Sequence, residues 1–491
     1  YINDVPYIKT MDDVKELEIR FGTIGYKKIS RIDYDNVCKN LLSHGFKPND
    51  YDGKALLRIS NEFTDRNTGK TKISRIRSEI NNIDNIKEYC KTNKLPSKYT
   101  IVQKLNAKKS ADEILYPVNI KSYNLKVSYS IENKINNESK IAKSIIETWS
   151  DSKKIFRYIN RISFAHPDFP MFVDCSIVKS SPRDGKFLKP TYTIDESNLF
   201  DNPETYEIEI EIDNSKMEGI TSEDLKKSIM KCIKFVLGGL QQTNYPISYD
   251  VIDDIGKDYL KLIKNSSDYL KSNSFIGPNS YTLQMENIVP VNENNIPNIR
   301  ENYTVTEKAD GLRKLLYISK DGMIYLINTN MNIEFTGSKS ENTNYYNSIL
   351  DGEHITHNKR GEFINLYAAF DIYFLKNIDI RSKKFIKNNS EQIKSEFRLS
   401  ILNDVIKDLQ ITGIASKKSP INIKVKTFYV SQGEISIFMA CKQIIDRINN
   451  GGFEYETDGL IFTPSDYGAG LTKLNTQLKS VKVSWEYSLK W

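Results

Sequence analysis

Apolar and polar residues alternate with a period of two through the first part of the chain, up to about residue 212. The alternation is clearest in four segments, 16–20, 73–77, 123–129 and 206–212. Such a period is typical of strands with one apolar and one polar face. We therefore predict a region of short strands, several of which carry charge along one face.

A helical pattern follows this region. Ser222 is a suitable N-cap with acidic residues directly after it, and Gly238 and Gly239 are predicted to end the helix. Apolar residues spaced three or four apart mark its buried face: Leu225, Ile229, Ile233 and Val236. A second helical pattern covers 249–263, and strands mix with helices from about residue 280. We predict a strand-rich domain over 1–220, a linker helix over 221–245 and a mixed domain over 246–491.

The composition narrows the class of protein. The chain has 491 residues with 70 Lys and Arg against 63 Asp and Glu, giving a net charge of +7. This length suits two or three domains, and the charge permits a polyanionic partner without requiring one. We find no apolar run of the roughly 18 residues that a membrane helix needs, and no secretory leader in the given sequence.

Cysteine and histidine offer little metal or disulfide chemistry. The five cysteines are scattered and none forms a CxxC pair, so we expect a reducing compartment. His354 and His357 lie three residues apart beside acidic residues. A zinc site is one interpretation of this pair, and a solvated loop is the simpler one.

Acidic residues line one face of two of the predicted strands. Glu16 and Glu18 share a face of the first segment. Glu207, Glu209 and Glu211 share a face of the last segment. Neighbours on one strand face are only about 7 Å apart, so such charges repel unless water or cations stabilise them. A solvated sheet face and a charged interior both remain open at this point.

Basic residues occur on the strand-like segments between the two acidic ones. They are Arg75, Arg77, Lys126, Arg157, Arg161 and Lys179, with Asp174 among them. If these strands close into a barrel, alternation sends both signs of charge to one interior. Buried charge destabilises a fold unless it is paired, so this interior suggests a function. Carboxylates bind hard divalent cations, and Arg and Lys bind phosphate oxygens.

The segments ELEIR and EIEIE resemble the two metal-binding motifs of the triphosphate tunnel metalloenzymes, a family that includes the RNA 5′-triphosphatases of fungi and large DNA viruses. The resemblance implies an antiparallel eight-stranded β tunnel that uses Mg²⁺ or Mn²⁺ to release the γ-phosphate of triphosphate-ended RNA. It implies catalytic and metal-binding carboxylates at Glu16, Glu18, Glu209 and Glu211, with Glu207 as a further metal ligand. It implies triphosphate-binding residues at Arg20, Arg75, Arg77, Lys126, Arg161, Asp174 and Lys179.

A second constellation centres on Lys308. Residues 308–313 read K-x-D-G-x-R, in which a neutral lysine amine could attack an α-phosphorus to form a phosphoramidate. Gly311 would allow a tight turn near a nucleotide, and Arg313 could reach its sugar or phosphate. A surface turn is the alternative for an isolated motif. The motif resembles the active-site signature of the covalent nucleotidyltransferases.

Four further motifs follow in the order used by that superfamily. They are LDGE at 350–353, FDIY at 370–373, ETDGLIF at 456–462 and LKW at 489–491. The resemblance implies that Phe370 stacks on the base, for which core packing is the alternative. Together with the catalytic nucleophile Lys308, it implies GTP-binding residues at Asp310, Arg313, Glu353, Phe370, Asp458 and Lys490.

Two features depart from the superfamily pattern. Asn330 stands where many relatives carry a basic residue for the sugar, and it cannot supply that charge. The sequence also stops at Trp491, inside the last motif. We therefore expect an OB fold and a guanine-N7 methyltransferase to follow in a longer parent chain.

A tunnel followed by a nucleotidyltransferase resembles the large-DNA-virus mRNA-capping enzymes of the mimivirus type. The resemblance implies an α+β fold class: the eight-stranded tunnel, then an α+β nucleotidyltransferase domain, without the OB fold. It implies RNA and GTP as partners, Mg²⁺ or Mn²⁺ at both sites, no membrane, and a location in the host cytoplasm or the virion. Two alternatives stay open: an ATP-dependent RNA or DNA ligase, and a catalytically silent scaffold that binds RNA or protein.

Overall fold

A computed structural model describes residues 14–24, 27–49, 55–65, 69–107, 114–185, 187–290, 298–386, 396–430, 436–469 and 481–484. The chain divides into two compact units, 1–242 and 243–491. Among the helices of the described ranges, we find none with the length and apolarity needed to cross a membrane.

The first unit is mainly β-structure. Its strands are β1 (Val14–Phe21), β2 (Lys47–Pro48), β3 (Ala55–Thr64), β4 (Thr71–Asn81), β5 (Thr100–Asn106), β6 (Val118–Ile120), β7 (Leu125–Ile135), β8 (Lys154–Ala165), β9 (Met171–Ser180), β10 (Arg183–Asp184), β11 (Phe187–Leu188) and β12 (Thr205–Ile212). Its helices are α1 (Arg31–Ser43), α2 (Ile83–Thr92), α3 (Lys140–Glu147) and α4 (Ser222–Gln241).

Eight of these strands close into an antiparallel barrel. They pair in the order β1-β12-β9-β8-β3-β4-β5-β7, and β7 pairs back with β1. The short strands β2 and β6 add to β8 and β7. A closed sheet has one inner and one outer face, so the period-two alternation separates the side chains completely. The predicted eight-stranded antiparallel tunnel is confirmed.

The apolar faces of the strands point outward, under the helices. Leu17, Ile19 and Phe21 of β1 pack in a cluster with Leu225 and Val236 of α4. A second outer cluster lies beneath α2 and includes Leu57, Ile80 and Tyr89. Both clusters stabilise the barrel from outside, which leaves its interior to the polar residues.

Helix α4 differs from the prediction at both ends. Thr221 is the N-cap rather than Ser222, and the helix continues through Gly238 and Gly239 to Gln241. A Cβ at Gly239 would lie 2.6 Å from the Cα of Val37 in α1, so this glycine permits close helix packing instead of ending the helix. The predicted linker helix therefore packs on α1 and falls within the first unit.

In the part of the second unit that the structure describes, two sheets combine with three helices. Its strands are β13 (Tyr281–Thr282), β14 (Tyr303–Ala309), β15 (Leu312–Ile318), β16 (Met323–Asn328), β17 (Ile333–Ser340), β18 (Ser348–His357), β19 (Phe363–Leu375), β20 (Ile378–Asp379), β21 (Ile411–Gly413), β22 (Asn422–Val425), β23 (Tyr429–Val430), β24 (Thr457–Pro464) and β25 (Val481–Ser484). Its helices are α5 (Tyr249–Leu262), α6 (Arg398–Asp408) and α7 (Ile437–Asn449).

The two sheets are separate. One has the order β13-β25-β24-β14-β23, and the other β20-β19-β18-β15-β16-β17-β21 with β22 beside β19. The predicted α+β domain is confirmed. His354 and His357 lie on strand β18 and not in a loop, and the His354 ring lies 2.7 Å from Oδ1 of Asn365.

Candidate functional site

The inner face of the barrel brings the two acidic motifs side by side. In the pairing of β1 with β12, Glu18 lies opposite Glu211 and Arg20 lies opposite Glu209. Glu209 in turn lies opposite Asp174 of β9. The antiparallel register therefore brings carboxylates from three strands together. They form the acidic cluster that the two motifs predicted.

Basic side chains from neighbouring strands pair with these carboxylates. Arg20 lies 2.6 Å from both Glu18 and Glu209. Arg161 lies 2.6 Å from Asp174 and 4.0 Å from Glu211. Each cation thus bridges carboxylates on different strands, which fixes its position in the lumen.

Several lumen residues were missed from the sequence, namely Arg58, Glu79, Lys104 and Glu132, whereas their neighbour Arg77 was predicted. Lys104 of β5 lies 3.2 Å from Glu16 and Glu18, and 3.3 Å from Glu132. Arg77 lies 2.7 Å from both Glu132 and Glu79. Arg58 of β3 joins this group through Glu79 at 2.9 Å. Each missed residue is a single charge on an alternating strand. The same pattern is typical of a strand face exposed to solvent, so the sequence gave no signal for these residues.

A cavity of about 330 Å³ opens beside this network. Its charged lining residues are Glu18, Arg20, Arg58, Arg77, Lys104, Lys126 and Arg157. Six of these seven residues are cations, so the space suits an anion. Lys126 is the lumen cation for which we find no ion-pair partner within the described ranges.

Three of the residues predicted to line the tunnel, Lys179, Arg75 and Glu207, are placed or paired differently from the other predicted tunnel residues. Lys179 is on the outer face of β9, one residue out of phase with Asp174, and donates to the carbonyl oxygen of Phe200. Its assignment as a triphosphate contact is therefore wrong. Arg75 shares the inner face of β4 with Arg77, but its side chain is exposed. Glu207 forms an ion pair with Arg157, away from the pairs that Arg20 and Lys104 make with the other carboxylates.

Burial makes the carboxyls at the Glu16 end of the lumen harder to ionise. Burial, reinforced by Asp174, raises the pKa of Glu211 to about 8. Burial also raises the pKa of Glu16, with Glu132 adding to the effect. Arg20 and Lys104 lower the pKa of Glu18, although burial opposes them.

The all-oxygen donor set fits a hard divalent cation, whose charge would favour the ionised form of these carboxyls. Across the described ranges, however, we find no cluster of three or more His, Cys, Asp and Glu side chains arranged to hold a metal ion. The residues that would hold one are Glu16, Glu18, Glu209 and Glu211.

In the second unit, two predicted motifs meet at Lys308. Its amine forms an ion pair with Asp458, on the strand that pairs with β14. Lys308 lies opposite Gly459 and Ala309 opposite Thr457, so Asp458 is the extra residue of a β-bulge. Bulges re-aim side chains and are common beside active sites. The bulge turns Asp458 towards Lys308.

The residue before Lys308 is locked on the opposite side of the strand. Glu307 is fully buried, accepts from Thr306 and Tyr455 at 2.8 Å, and lies 3.3 Å from the amine of Lys426. Because β14 alternates, this anchoring holds Lys308 on the open face. Lys426 was not singled out from the sequence.

Arg313 lies between two aromatic rings. Its guanidinium carbon lies 5.5 Å from the ring centre of Phe275 and 5.6 Å from that of Phe370. It also forms a two-pronged ion pair with Asp351, to which Tyr373 donates at 2.6 Å. These contacts hold a cation and an aromatic face next to one another.

Phe370 reaches this position through a second bulge. Asp351 lies opposite Asp371 and Gly352 opposite Ala369, which leaves Phe370 as the extra residue of β19. Its ring is half-buried, whereas Asp371 turns inward to pair with Arg398. A half-buried ring beside Arg313 is compatible with both alternatives, so stacking of Phe370 on the base stays a prediction.

The remaining predicted residues surround Lys308 and Arg313. Glu353 lies opposite Arg313, and burial raises its pKa to about 7. A Cβ at Gly311 would lie 2.8 Å from Cγ of Glu353, so glycine is required for this close turn. Asp310 is exposed in the turn. Asn330 is exposed as well, and Lys490 lies outside the described residues.

Comparison with known proteins gives one family match and several structural likenesses. Residues 249–479 match the family model described as mRNA capping enzyme, catalytic domain. This match confirms the resemblance predicted for the second unit. No curated protein matches the chain.

Solved structures resemble the chain only weakly. The mimivirus capping enzyme triphosphatase is 17% identical with a TM-score of 0.30, covering 48% of this chain and 93% of that one. The S. pombe Pct1 RNA triphosphatase is 11% identical with a TM-score of 0.26, covering 45% of this chain and 80% of that one.

Proposed function

We propose that the chain performs two consecutive steps of mRNA capping, a proposal supported by the match of residues 249–479 to the model of the mRNA capping enzyme catalytic domain. The first unit removes the γ-phosphate of triphosphate-ended RNA, and the second transfers GMP from GTP to the resulting diphosphate end. The observation that carries the proposal is the ion pair of Lys308 with Asp458, within a domain that matches capping enzymes.

In the first unit, the lumen residues divide between holding phosphate and holding metal. Lys126, Arg20 and Arg161 orient the triphosphate through its oxygens. Glu16, Glu18, Glu209 and Glu211 would hold a divalent cation, which would supply polarisation of the phosphoryl group and offset its charge. Water oxygen bonds to the γ-phosphorus, and the bond from that phosphorus to the bridging oxygen breaks. Phosphate and diphosphate-ended RNA are the products.

In the second unit, Lys308 is the nucleophile. After the amine passes one proton to the carboxylate of Asp458, its nitrogen bonds to the α-phosphorus of GTP, the bond to the bridging oxygen breaks, and pyrophosphate leaves. Asp458 holds the amine in place and accepts its hydrogen bond. The terminal oxygen of diphosphate RNA then attacks the same phosphorus, the nitrogen–phosphorus bond breaks, and Lys308 is regenerated.

The nucleotide is positioned by groups around Lys308. Phe370 presents a half-exposed ring for the base, and Arg313 lies beside it for sugar or phosphate. Glu353 and Asp458 provide carboxylates for the ribose and for a divalent cation. Nucleotide binding requires the guanidinium of Arg313 to share or release the face of Phe370.

Reciprocal variants test the two-site proposal. Glu18→Gln removes a lumen carboxylate and should slow γ-phosphate release by about 100-fold or more, while GMP labelling of the protein persists. Lys308→Ala should abolish labelling while γ-phosphate release persists. Lys359→Ala, on an exposed turn of the second unit, is the matched control and should affect neither.

The same assay separates the proposal from the ligase alternative. A capping enzyme accepts label from GTP, whereas a ligase accepts it from ATP. Labelling by ATP alone, or loss of both activities in either variant, would contradict two independent capping sites.

A further inference from the structure

A short segment ahead of β13 lies against Arg313. This segment, residues 274–278, which we call the strap, contacts the guanidinium in two ways. The carbonyl oxygen of Pro278 accepts from Nη1 of Arg313 at 2.8 Å. The ring centre of Phe275 lies 5.5 Å from the guanidinium carbon. Neither Phe275 nor Pro278 was singled out from the sequence.

Gly277 allows the strap to come this close. A Cβ at Gly277 would lie 2.5 Å from Nη2 of Arg313 and 2.9 Å from Oδ2 of Asp351. Both distances are shorter than van der Waals contact, so the strap packs directly on the ion pair of these two residues. Any larger side chain at this position would push the strap away from Arg313.

The strap is anchored to helix α5. Tyr259 is fully buried in this helix and donates to the carbonyl oxygen of Ser274 at 2.8 Å. Ser274 is buried too, and its Oγ accepts from the backbone N–H of Lys271 at 3.2 Å. Because Phe275 follows Ser274 directly, these bonds fix the point from which its ring reaches Arg313.

Arg313 joins the strap to the predicted base-stacking residue. Its guanidinium carbon lies 5.6 Å from the ring centre of Phe370, about as far as from that of Phe275. Its edge is held by two hydrogen bonds to the buried carboxylate of Asp351. A cation is attracted to the face of an aromatic ring, and more strongly where water is excluded. The side chain of Arg313 is only 21% exposed, so both rings help to hold it.

We propose that Phe275 is a positioning residue of the nucleotide site. It holds the guanidinium of Arg313 against Phe370, so that the ring and the cation meet the nucleotide in one fixed arrangement. This inference rests on the proposed binding of GTP by the second unit.

The sheet topology separates this role from the chemical step. Arg313 and Phe370 belong to β15 and β19, whereas the nucleophile Lys308 lies on β14 in the other sheet. Loss of the Phe275 ring should therefore weaken nucleotide binding and leave the attack of the amine unchanged.

Three variants test this separation when the rate of GMP adduct formation is measured against GTP concentration. Phe275→Leu keeps an apolar side chain and removes the ring, so the KM for GTP should rise about fivefold to tenfold. The rate at saturating GTP should stay within about twofold of the wild type. Phe275→Tyr retains the ring and should keep the wild-type KM. Phe363→Leu is the matched control, because the Phe363 ring is exposed elsewhere on β19, and it should change neither value.

Three results would overturn the inference. One is an unchanged KM in Phe275→Leu. Another is a lower saturating rate at the wild-type KM. The third is a KM in Phe275→Tyr or Phe363→Leu that matches the KM of Phe275→Leu, because the effect would then not come from the ring at this position.

Nuclear magnetic resonance of the nucleotide-free protein gives a measurement that does not depend on catalysis. In protein with isotope-labelled arginine, the Nε–H signal of Arg313 is identified by its loss in Arg313→Lys. Phe275→Leu should remove the ring-current shift that Phe275 contributes to this signal, and Phe275→Tyr should preserve it. The same Arg313 signal in the wild type and in Phe275→Leu would contradict the positioning role. A wild type that forms no GMP adduct would contradict the proposed function instead, and the signal would still decide whether Phe275 holds Arg313.

Discussion

Lys104 is predicted to hold the lumen carboxylates together, and Lys104→Met tests this role. Its amine lies within 3.3 Å of Glu16, Glu18 and Glu132, which come from two different strands. Although burial raises the pKa of each carboxyl, Lys104 acts in the opposite direction on all three. Methionine preserves the side chain as far as Cε and removes the charged amine with its hydrogen bonds.

The magnitude follows from the burial of the group. Removing one member of a buried ion pair costs about 3–5 kcal/mol, because the remaining charge is left unpaired. Lys104 is 34% exposed, so water and salt screen part of this loss. We expect Lys104→Met to lower the free energy of opening of the barrel by about 1–2 kcal/mol.

The loss should depend on pH and on divalent cations. Without Lys104 the pKa values of the three carboxyls rise, so the folded state binds protons more tightly than the unfolded state. The destabilisation is therefore small below about pH 4.5 and grows as pH rises. A divalent cation at about 100 times its Kd would restore roughly 2.7 kcal/mol, enough to offset the substitution.

Hydrogen exchange of the β1 amides, such as those of Leu17 and Ile19, reports opening of this unit alone. Lys134→Met, an exposed lysine of β7, is the matched control and should leave this exchange unchanged. Wild-type exchange rates in Lys104→Met would contradict this role of Lys104. A loss of stability that neither low pH nor Mn²⁺ reverses would contradict it as well.

Two further predictions concern the second unit. Burial raises the pKa of Glu353 to about 7, so its carboxyl is protonated below that pH. The rate of adduct formation should therefore rise through about pH 7. Glu353→Gln should remove this rise from the pH profile. Arg398→Met leaves the carboxylate of Asp371 buried without its cation, so urea unfolding should show a loss of about 3–5 kcal/mol. The double variant with Asp371→Leu should recover part of that loss, and an equal loss in both proteins would contradict an ion-pair origin.

The sequence predicted the lumen where alternation was strict and repeated. Glu16, Glu18 and Arg20 on β1, and Glu209 and Glu211 on β12, face inward as their period requires. The nucleotidyltransferase motifs were equally informative, because K-x-D-G-x-R and the segment containing Asp458 meet on paired strands.

The remaining residues depended on register between strands that are distant in sequence. The alternation along β9 was predicted one residue out of step at Lys179. The prediction therefore put Lys179 inside the barrel, whereas it lies on the outer face. Lys104 and Arg58 belong to the lumen only because β5 and β3 close the barrel beside β7 and β8. The bulges at Asp458 and Phe370 likewise have no signature in the local sequence.

Mapping of the covalent adduct tests directly whether Lys308 carries GMP. The protein is incubated with GTP and a divalent cation, digested, and examined by mass spectrometry for a peptide carrying GMP. We expect a phosphoramidate on Lys308, the residue held by Asp458, and its loss in Lys308→Arg. Attachment of GMP to a different lysine, or an adduct that persists in Lys308→Arg, would contradict it.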